Sequence, residues 1–194
     1  MGLPAEKHRY TIAEYLALEE KAQERHEFHD GEILMMSGGT YRHSAICSNL
    51  NRFLGNRLDG KPSRPLDSNM RVRIAAQSKY LYPDTSVLCG PPAFDPDDPK
   101  ETTILNPRIV FEVLSDSTES YDRGAKFQMY RQIPSLEEYV LVSQSGPLVE
   151  TFLRQPAGGW LLQTWKDLQS AASLQSVQID LPLSEIYFGV DFQI

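Results

Sequence analysis

The chain has 194 residues, of which 41% are hydrophobic and 23% are charged, with 12 glycines and 13 prolines. This composition is typical of one soluble globular domain and excludes a collagen-like or intrinsically disordered chain. Its 19 basic and 26 acidic residues give a net charge of −7, which argues against a protein that coats nucleic acid non-specifically. No apolar run approaches the ~18 residues of a membrane-spanning helix, and residues 1–9 lack the apolar stretch of a signal peptide. We therefore expect a cytoplasmic protein that does not bind membranes.

Basic residues are concentrated in one segment, residues 42–79. This segment holds eight basic and two acidic residues, a net charge of +6, whereas the rest of the chain holds 11 basic and 24 acidic residues. Such a segment is able to engage a phosphate backbone locally. The alternative is a solvated helix face followed by an exposed strand, and charge alone favours that alternative.

The first elements are predicted to be a helix and a β-hairpin. Residues 10–23 have an apolar stripe of helical spacing, and Thr11 with Glu14 three residues later has the spacing of a capping box. Residues 25–36 read as two extended arms around Asp30-Gly31, a pair that favours a tight turn.

Residues 43–58 have the clearest helical pattern in the chain. Apolar side chains recur there at three- and four-residue intervals and predict one buried face; they are Ile46, Leu50, Phe53, Leu54 and Leu58. Strands are predicted over 66–74, 80–88, 108–114, 138–142, 148–153, 160–164 and 176–181, and a second helix over 120–133. This order predicts an α/β or α+β fold in one domain spanning residues 1–194, with a core over about 24–143 and a β-rich extension over about 146–190.

Two of the predicted strands each carry one carboxylate in an apolar setting. Asp84 follows Tyr82-Pro83, and Glu112 lies within Phe111-Glu112-Val113-Leu114. A buried carboxylate is costly unless it is paired, hydrogen-bonded or bound to a metal. If the two strands are adjacent, a divalent cation with a preference for oxygen ligands, Mg²⁺ or Mn²⁺, would relieve the repulsion between the carboxylates. The alternative is that each carboxylate lies at a strand end and pairs with an arginine such as Arg71 or Arg108.

An ordered set of short motifs accompanies these two carboxylates. The motifs are His26-Glu27-Phe28-His29-Asp30-Gly31-Glu32, His43 at a helix start, Met70-Arg71-Val72-Arg73, Tyr82-Pro83-Asp84, Glu112-Val113-Leu114-Ser115, Tyr121-Asp122-Arg123-Gly124-x-Lys126 and Tyr130-Arg131. Together they resemble the PD-(D/E)XK nuclease superfamily, and more closely a large bacterial family of uncharacterised predicted endonucleases within it. The resemblance implies a restriction-endonuclease-like fold, a mixed central sheet flanked by helices.

The resemblance also implies a catalytic site. In the superfamily the Asp and Glu, here Asp84 and Glu112, hold one or two Mg²⁺ or Mn²⁺ ions that activate water and polarise the scissile phosphate. The superfamily has a lysine two residues after the Glu, but this chain has Leu114 there, which supplies neither charge nor proton. The resemblance implies that Lys126, on the following helix, takes that role. The alternative is a lysine that snorkels at the rim of an amphipathic helix.

Other side chains are secondary candidates for the same site. Glu27 is expected to bind a second metal or to orient a water. His43 is a candidate metal ligand, general acid or phosphate contact, although it or Ser44 could instead cap its helix. Arg71 and Arg73, which share a strand face of the basic segment, are expected to contact the phosphate backbone, and the main-chain carbonyl of Val113 to be a further metal ligand.

The sequence supports little other enzyme chemistry. Cys47 and Cys89 are interpreted as structural thiols, since one lies among apolar helix positions and the other ends a strand. Because the chain has no C-x-x-C pair, neither a disulfide framework nor a structural zinc site is expected.

The leading hypothesis is a Mg²⁺-dependent endonuclease that hydrolyses phosphodiester bonds of nucleic acid, with DNA as the expected partner and a homodimer as a possible assembly. One alternative is a catalytically inactive descendant of the fold that binds nucleic acid or protein and in which Asp84 and Lys126 form a buried ion pair. A small-molecule phosphohydrolase would share the same metal site.

Overall fold

The structure is a computed structural model that describes residues 8–36 and 38–192. Residues 1–7, on which the signal-peptide expectation partly rests, lie outside the described residues. The helices are α1 (Ile12–Glu19), α2 (Tyr41–Leu58), α3 (Glu119–Tyr121), α4 (Phe127–Tyr130) and α5 (Leu183–Ile186). The strands are β1 (His26–His29), β2 (Glu32–Met35), β3 (Ser63–Asp67), β4 (Arg71–Ile74), β5 (Lys79–Leu81), β6 (Thr85–Cys89), β7 (Thr103–Ile104), β8 (Pro107–Leu114), β9 (Glu138–Ser143), β10 (Val149–Arg154), β11 (Trp160–Trp165), β12 (Ala171–Leu174) and β13 (Ile179–Pro182). None of the helices in the described part is long and apolar enough to cross a membrane.

A six-stranded mixed sheet forms the centre of the fold, in the order β11-β10-β9-β8-β6-β3. The β8 and β9 strands are parallel, and the other neighbours are antiparallel. Apolar side chains of β8 face both ways: Phe111 and Val113 pack in the same core cluster as α2, whereas Val110 and Leu114 pack in the cluster that contains α4. Burial on both faces explains the continuous apolar run in this strand.

The second sheet has five strands, in the order β2-β1-β5-β4-β7. The chain leaves this sheet after β5 and enters the central sheet at β6, so the predicted strand 80–88 is divided at Pro83-Asp84. Proline lacks the N–H that a continuous ladder needs at that position. The division places Asp84 at the junction of the two sheets.

The two long predicted helices are confirmed with adjusted ends. In α1 the capping box is present: Thr11 Oγ1 accepts a hydrogen bond from the Glu14 N–H at 3.2 Å, and the Thr11 N–H donates to the Glu14 carboxylate at 2.7 Å. In α2 the predicted apolar face is buried. This helix begins at Tyr41 because the Thr40 hydroxyl caps it, accepting from the His43 N–H.

Three further predicted elements differ from the structure. The predicted strand 66–74 is two strands, β3 and β4, that belong to different sheets. The predicted strand 176–181 is the second arm of a β12–β13 hairpin. The predicted helix 120–133 is interrupted, because a π-helical turn (Asp122–Lys126) separates α3 from α4.

Candidate functional site

A cavity of about 550 Å³ opens where the two sheets meet. It is lined by residues from five separate parts of the chain: Glu27 on β1, His43 on α2, Asp84 before β6, Glu112 on β8 and Lys126 in the π-helical turn. The structure therefore brings together five of the seven side chains predicted from the sequence.

Asp84 and Glu112 are held side by side by the main chain of β8. Asp84 Oδ2 accepts a hydrogen bond from the Val113 N–H at 2.7 Å, which fixes the carboxylate beside the residue that follows Glu112. In an antiparallel ladder the N–H and C=O of one residue point toward the same neighbouring strand. The Val113 carbonyl therefore faces the same side of β8 as Asp84, where the sequence analysis expected a third oxygen ligand.

The alternative that Asp84 and Glu112 each pair with an arginine, such as Arg71 or Arg108, does not describe the structure. Arg71 Nη2 lies 3.0 Å from Asp98, and Arg108 Nη2 lies 2.9 Å from Glu137. Both arginines named in that alternative thus have other acidic partners, and neither Asp84 nor Glu112 is among them.

Lys126 is a buried residue, 6% exposed, and its ammonium group is surrounded by carboxylates. Its Nζ lies 2.9 Å from Glu112 Oε1, 3.5 Å from Glu27 Oε1 and 3.6 Å from Asp122 Oδ1. A snorkelling lysine keeps its charge in water, so this alternative does not fit. The buried Asp84–Lys126 ion pair expected for an inactive descendant is not formed, because Asp84 pairs with His43.

The protonation of this cluster follows from burial and from the mutual contacts. Burial alone would lower the pKa of Lys126, but the Glu112 and Glu27 carboxylates outweigh it and hold the pKa well above its usual value. Burial raises the pKa of Glu112 well above its ordinary value; Lys126 opposes this effect, and the neighbouring carboxylates Asp84 and Asp122 add to it. Burial also opposes ionisation of Glu27, but Lys126 and the hydrogen bond from His29 lower its pKa overall.

The charges of the cavity suit a divalent cation. Three carboxylates, those of Glu27, Glu112 and Asp122, lie within 3.6 Å of the Lys126 ammonium group, and Asp84 lines the same cavity. Glu27 Oε1 is buried and has no hydrogen-bond partner. A cluster of buried carboxylate oxygens fits Mg²⁺ or Mn²⁺, which oxygen ligands bind preferentially.

Glu27 is oriented by two neighbours that the sequence analysis did not assign to the site. Tyr121 donates a hydrogen bond from its hydroxyl to Glu27 Oε2 at 3.3 Å, and His29 Nε2 lies 3.1 Å from the same oxygen. Tyr121 lies directly before the π-helical turn, so the turn and β1 are linked through the Glu27 carboxylate.

His43 contacts Asp84 rather than capping its helix. Its Nε2 lies 3.2 Å from Asp84 Oδ2, and this hydrogen bond is the main cause of a raised pKa for the imidazole. On the other side of the ring, Nδ1 lies 3.6 Å from the Sγ of Cys47.

Arg71 and Arg73, expected as phosphate contacts, lie outside the cavity lining. Arg71 is 5% exposed and pairs with Asp98, and Arg73 pairs with Asp95 and Asp97. These acidic partners come from the loop before β7, which neutralises this part of the basic segment. Both guanidinium groups are thus engaged within the protein, and their contact with phosphate stays a prediction.

Asp122 is a further site residue that sequence reasoning missed. It is buried, and it reaches Lys126 across one turn. A regular helix also brings residues four apart together, so the Asp122-x-x-x-Lys126 spacing was sufficient to predict this pair. What the pattern did not show is that the turn is π-helical and that both side chains are buried.

The mixed sheet and the cavity at its junction define a restriction-endonuclease-like protein. A family model described as "Uma2: Putative restriction endonuclease" matches residues 12–184, and the chain belongs to this family.

Two proteins of Synechocystis sp. (strain ATCC 27184 / PCC 6803 / Kazusa) are similar in sequence. The "Uncharacterized protein slr1290" is 37% identical over 180 residues, 92% of either chain. The "Uncharacterized protein sll1609" is 38% identical over 152 residues, 78% of this chain and 85% of that protein. Among solved structures, a protein from Anabaena variabilis ATCC 29413 described as "a putative nuclease belonging to DUF820" has a similar fold, with a TM-score of 0.73 at 15% identity over 92% of this chain and 97% of that chain.

Proposed function

We propose that this protein is a Mg²⁺-dependent endonuclease that hydrolyses phosphodiester bonds in DNA. The observation that carries the proposal is the placement of the Lys126 ammonium 2.9 Å from Glu112, in a cavity that Asp84 also lines, within a restriction-endonuclease-like fold. These three groups are the ones that the resemblance to PD-(D/E)XK nucleases requires.

Asp84, Glu112 and the Val113 carbonyl would hold the metal ion, since all three residues line the same cavity and offer oxygen atoms. When bound, Mg²⁺ or Mn²⁺ supplies a Lewis acid for a phosphate oxygen and lowers the pKa of a water molecule. The Val113 N–H keeps the Asp84 carboxylate in position for this task. His43, which donates to Asp84, would orient the same carboxylate or contact a phosphate oxygen of the substrate.

Lys126 would supply the positive charge that Leu114 does not. Its ammonium group remains protonated beside the carboxylates, so it would act as a hydrogen-bond donor to the attacking water or to the charge that develops on the phosphorane. Glu27 would accept a hydrogen bond from the water or position Lys126, because its Oε1 lies 3.5 Å from Nζ and has no hydrogen-bond partner.

The test is cleavage of supercoiled plasmid and of labelled duplex and single-stranded DNA with Mg²⁺ or Mn²⁺. Wild type is expected to cleave only with the metal, and Asp84→Asn and Glu112→Gln to lose at least ~100-fold, as expected for removing groups that act on the transition state. Asp180→Asn, which makes the same chemical change at an exposed position of β13, is the matched control. Full activity of Asp84→Asn, with an unchanged circular dichroism spectrum, would contradict the proposal.

A further inference from the structure

A second cluster of metal-binding side chains lies directly beside the proposed catalytic carboxylates. His43, Cys47 and Asp84 each offer one ligand atom, and no two of these atoms are more than 4.8 Å apart. His43 and Cys47 are one turn apart on α2, a spacing that places both side chains on one face of the helix.

Two distances in this cluster match the ligand–ligand spacing of a tetrahedral zinc site, and they involve different nitrogens of the His43 ring. With Zn–S near ~2.3 Å and Zn–N near ~2.0 Å, tetrahedral ligands are separated by about 3.3–3.6 Å. Cys47 Sγ lies 3.6 Å from His43 Nδ1, and His43 Nε2 lies 3.2 Å from Asp84 Oδ2. The three side chains are partly buried, neither enclosed in the core nor fully solvated.

The donor types separate this cluster from the carboxylate site. A thiolate and an imidazole favour Zn²⁺ and other borderline-soft cations, whereas carboxylate and carbonyl oxygens favour Mg²⁺ and Mn²⁺. Asp84 is common to both donor sets. We propose that His43, Cys47 and Asp84 form a second metal site for Zn²⁺, and that zinc bound there withdraws Asp84 from Glu112 and blocks the catalytic metal.

Geometry explains the withdrawal. A zinc ion binds one nitrogen of the His43 ring, whereas Cys47 contacts Nδ1 and Asp84 contacts Nε2, so we expect the Asp84 carboxylate to move toward Cys47 when all three donors bind one ion. That movement breaks the 2.7 Å hydrogen bond from Val113 N–H, which fixes Asp84 beside Glu112. Zinc binding forms a Zn–S bond and releases the thiol proton of Cys47 to solvent, and no redox partner is involved.

The zinc site itself does not rest on the proposed nuclease function, whereas its inhibitory effect does. The first experiment titrates the full chain with Co²⁺, a spectroscopic probe for zinc sites, under reducing conditions. Wild type is expected to show the visible bands of a tetrahedral cobalt ion and a near-ultraviolet thiolate-to-cobalt charge-transfer band. The charge-transfer band is expected to be lost in Cys47→Ser. It should remain in Cys89→Ser, the matched control, whose thiol lies at the end of β6 and contacts Ser63.

Calorimetry measures whether Zn²⁺ and Mn²⁺ compete for Asp84. One equivalent of Zn²⁺ is expected to abolish Mn²⁺ binding by wild type but not by Cys47→Ser. Changes beside a metal ligand already cost about 10–100-fold in affinity, so losing the thiolate itself should weaken zinc binding by at least ~100-fold. The same Zn²⁺ should inhibit Mg²⁺-dependent cleavage by wild type and leave Cys47→Ser active.

The outcomes separate the two proposals. A charge-transfer band that is absent from wild type or survives in Cys47→Ser overturns the zinc site. Mn²⁺ binding that persists in the zinc-loaded wild type overturns the inhibition. If zinc-free wild type binds no Mn²⁺, the nuclease proposal fails with the inhibition, and the cobalt spectrum still decides whether the zinc site exists.

Discussion

The Nζ atom of Lys126 lies 2.9 Å from Oε1 of Glu112, although the residue two positions after Glu112 is Leu114. Glu112 and Leu114 point to the same face of β8, because side chains alternate along a strand. Leu114 packs into the apolar cluster that contains α4, and the π-helical turn before α4 carries Lys126 over the carboxylate from the same side. The π-helical turn thus supplies the ammonium group of Lys126. The side chain two positions after Glu112, Leu114, packs in the apolar core instead.

Replacing Lys126 with Met should abolish cleavage without abolishing metal binding. Catalysis by a positioned side chain is worth about 10²–10⁴-fold, so we expect single-turnover cleavage to fall by at least ~100-fold. Without the ammonium group the carboxylates repel one another, so Mn²⁺ should raise the melting temperature of Lys126→Met more than that of wild type. Lys100→Met, at a surface lysine paired with Glu20, is the control, and an active Lys126→Met would show that the lysine is structural.

Placing a lysine at position 114, two residues after Glu112, should restore part of the cleavage activity that Lys126→Met loses. Leu114→Lys alone is expected to be destabilised by at least ~2 kcal/mol, since it buries a second cation beside Lys126. In the double variant Leu114→Lys/Lys126→Met, the lysine at position 114 lies on the same face of β8 as Glu112 and can reach its carboxylate. We expect the double variant to be more stable than Leu114→Lys and to cleave faster than Lys126→Met. Simple additivity of the two changes in urea denaturation and in cleavage would argue against a shared role.

Asp98 should control part of the acid stability of the protein. Burial opposes its ionisation, but hydrogen bonds from Thr102 and Thr103 and the charge of Arg71 lower its pKa overall. A carboxyl with a lowered folded-state pKa stabilises the fold above its unfolded pKa of about 3.9 and loses that effect as pH falls through the folded value.

Asp98→Asn is therefore expected to cost about 3 kcal/mol near neutral pH, because it leaves the Arg71 guanidinium buried without its carboxylate. It should also reduce the loss of stability between neutral pH and the folded pKa. Urea denaturation across that range measures both effects. Asp97→Asn, in the same loop but 54% exposed, should change neither, and an equal effect of the two substitutions would refute a specific role for the Arg71–Asp98 pair.

Much of the fold follows from local patterns. The apolar stripe of α2 and the doubly buried run of β8 predicted their elements because each pattern has the period of its structure. The split of the predicted strand 66–74 was missed, because the turn at Ser68–Met70 joins strands of two different sheets and no local pattern shows which sheet a strand enters. The first arm of the β12–β13 hairpin was missed because its sequence, Ala-Ala-Ser-Leu, lacks the β-branched and aromatic residues that are typical of strands.

Part of the candidate site could be predicted from the sequence. Asp84 and Glu112 stood out because each is a lone carboxylate among apolar neighbours, and burial makes such residues costly. The role of Lys126 came only from the resemblance, since helical spacing describes a core lysine and a rim lysine equally. The ion pairs of Arg71 and Arg73 were not predicted, because a charge count does not show their acidic partners, which follow more than 20 residues later in the chain.

The measurement that tests the central claim most directly is calorimetric titration of Mn²⁺ into wild type and Glu112→Ala under identical conditions. The account predicts saturable binding to wild type that is lost in Glu112→Ala, while circular dichroism shows both proteins folded. Equal binding to the two proteins, or none to the wild type, would contradict a metal site built on Asp84 and Glu112.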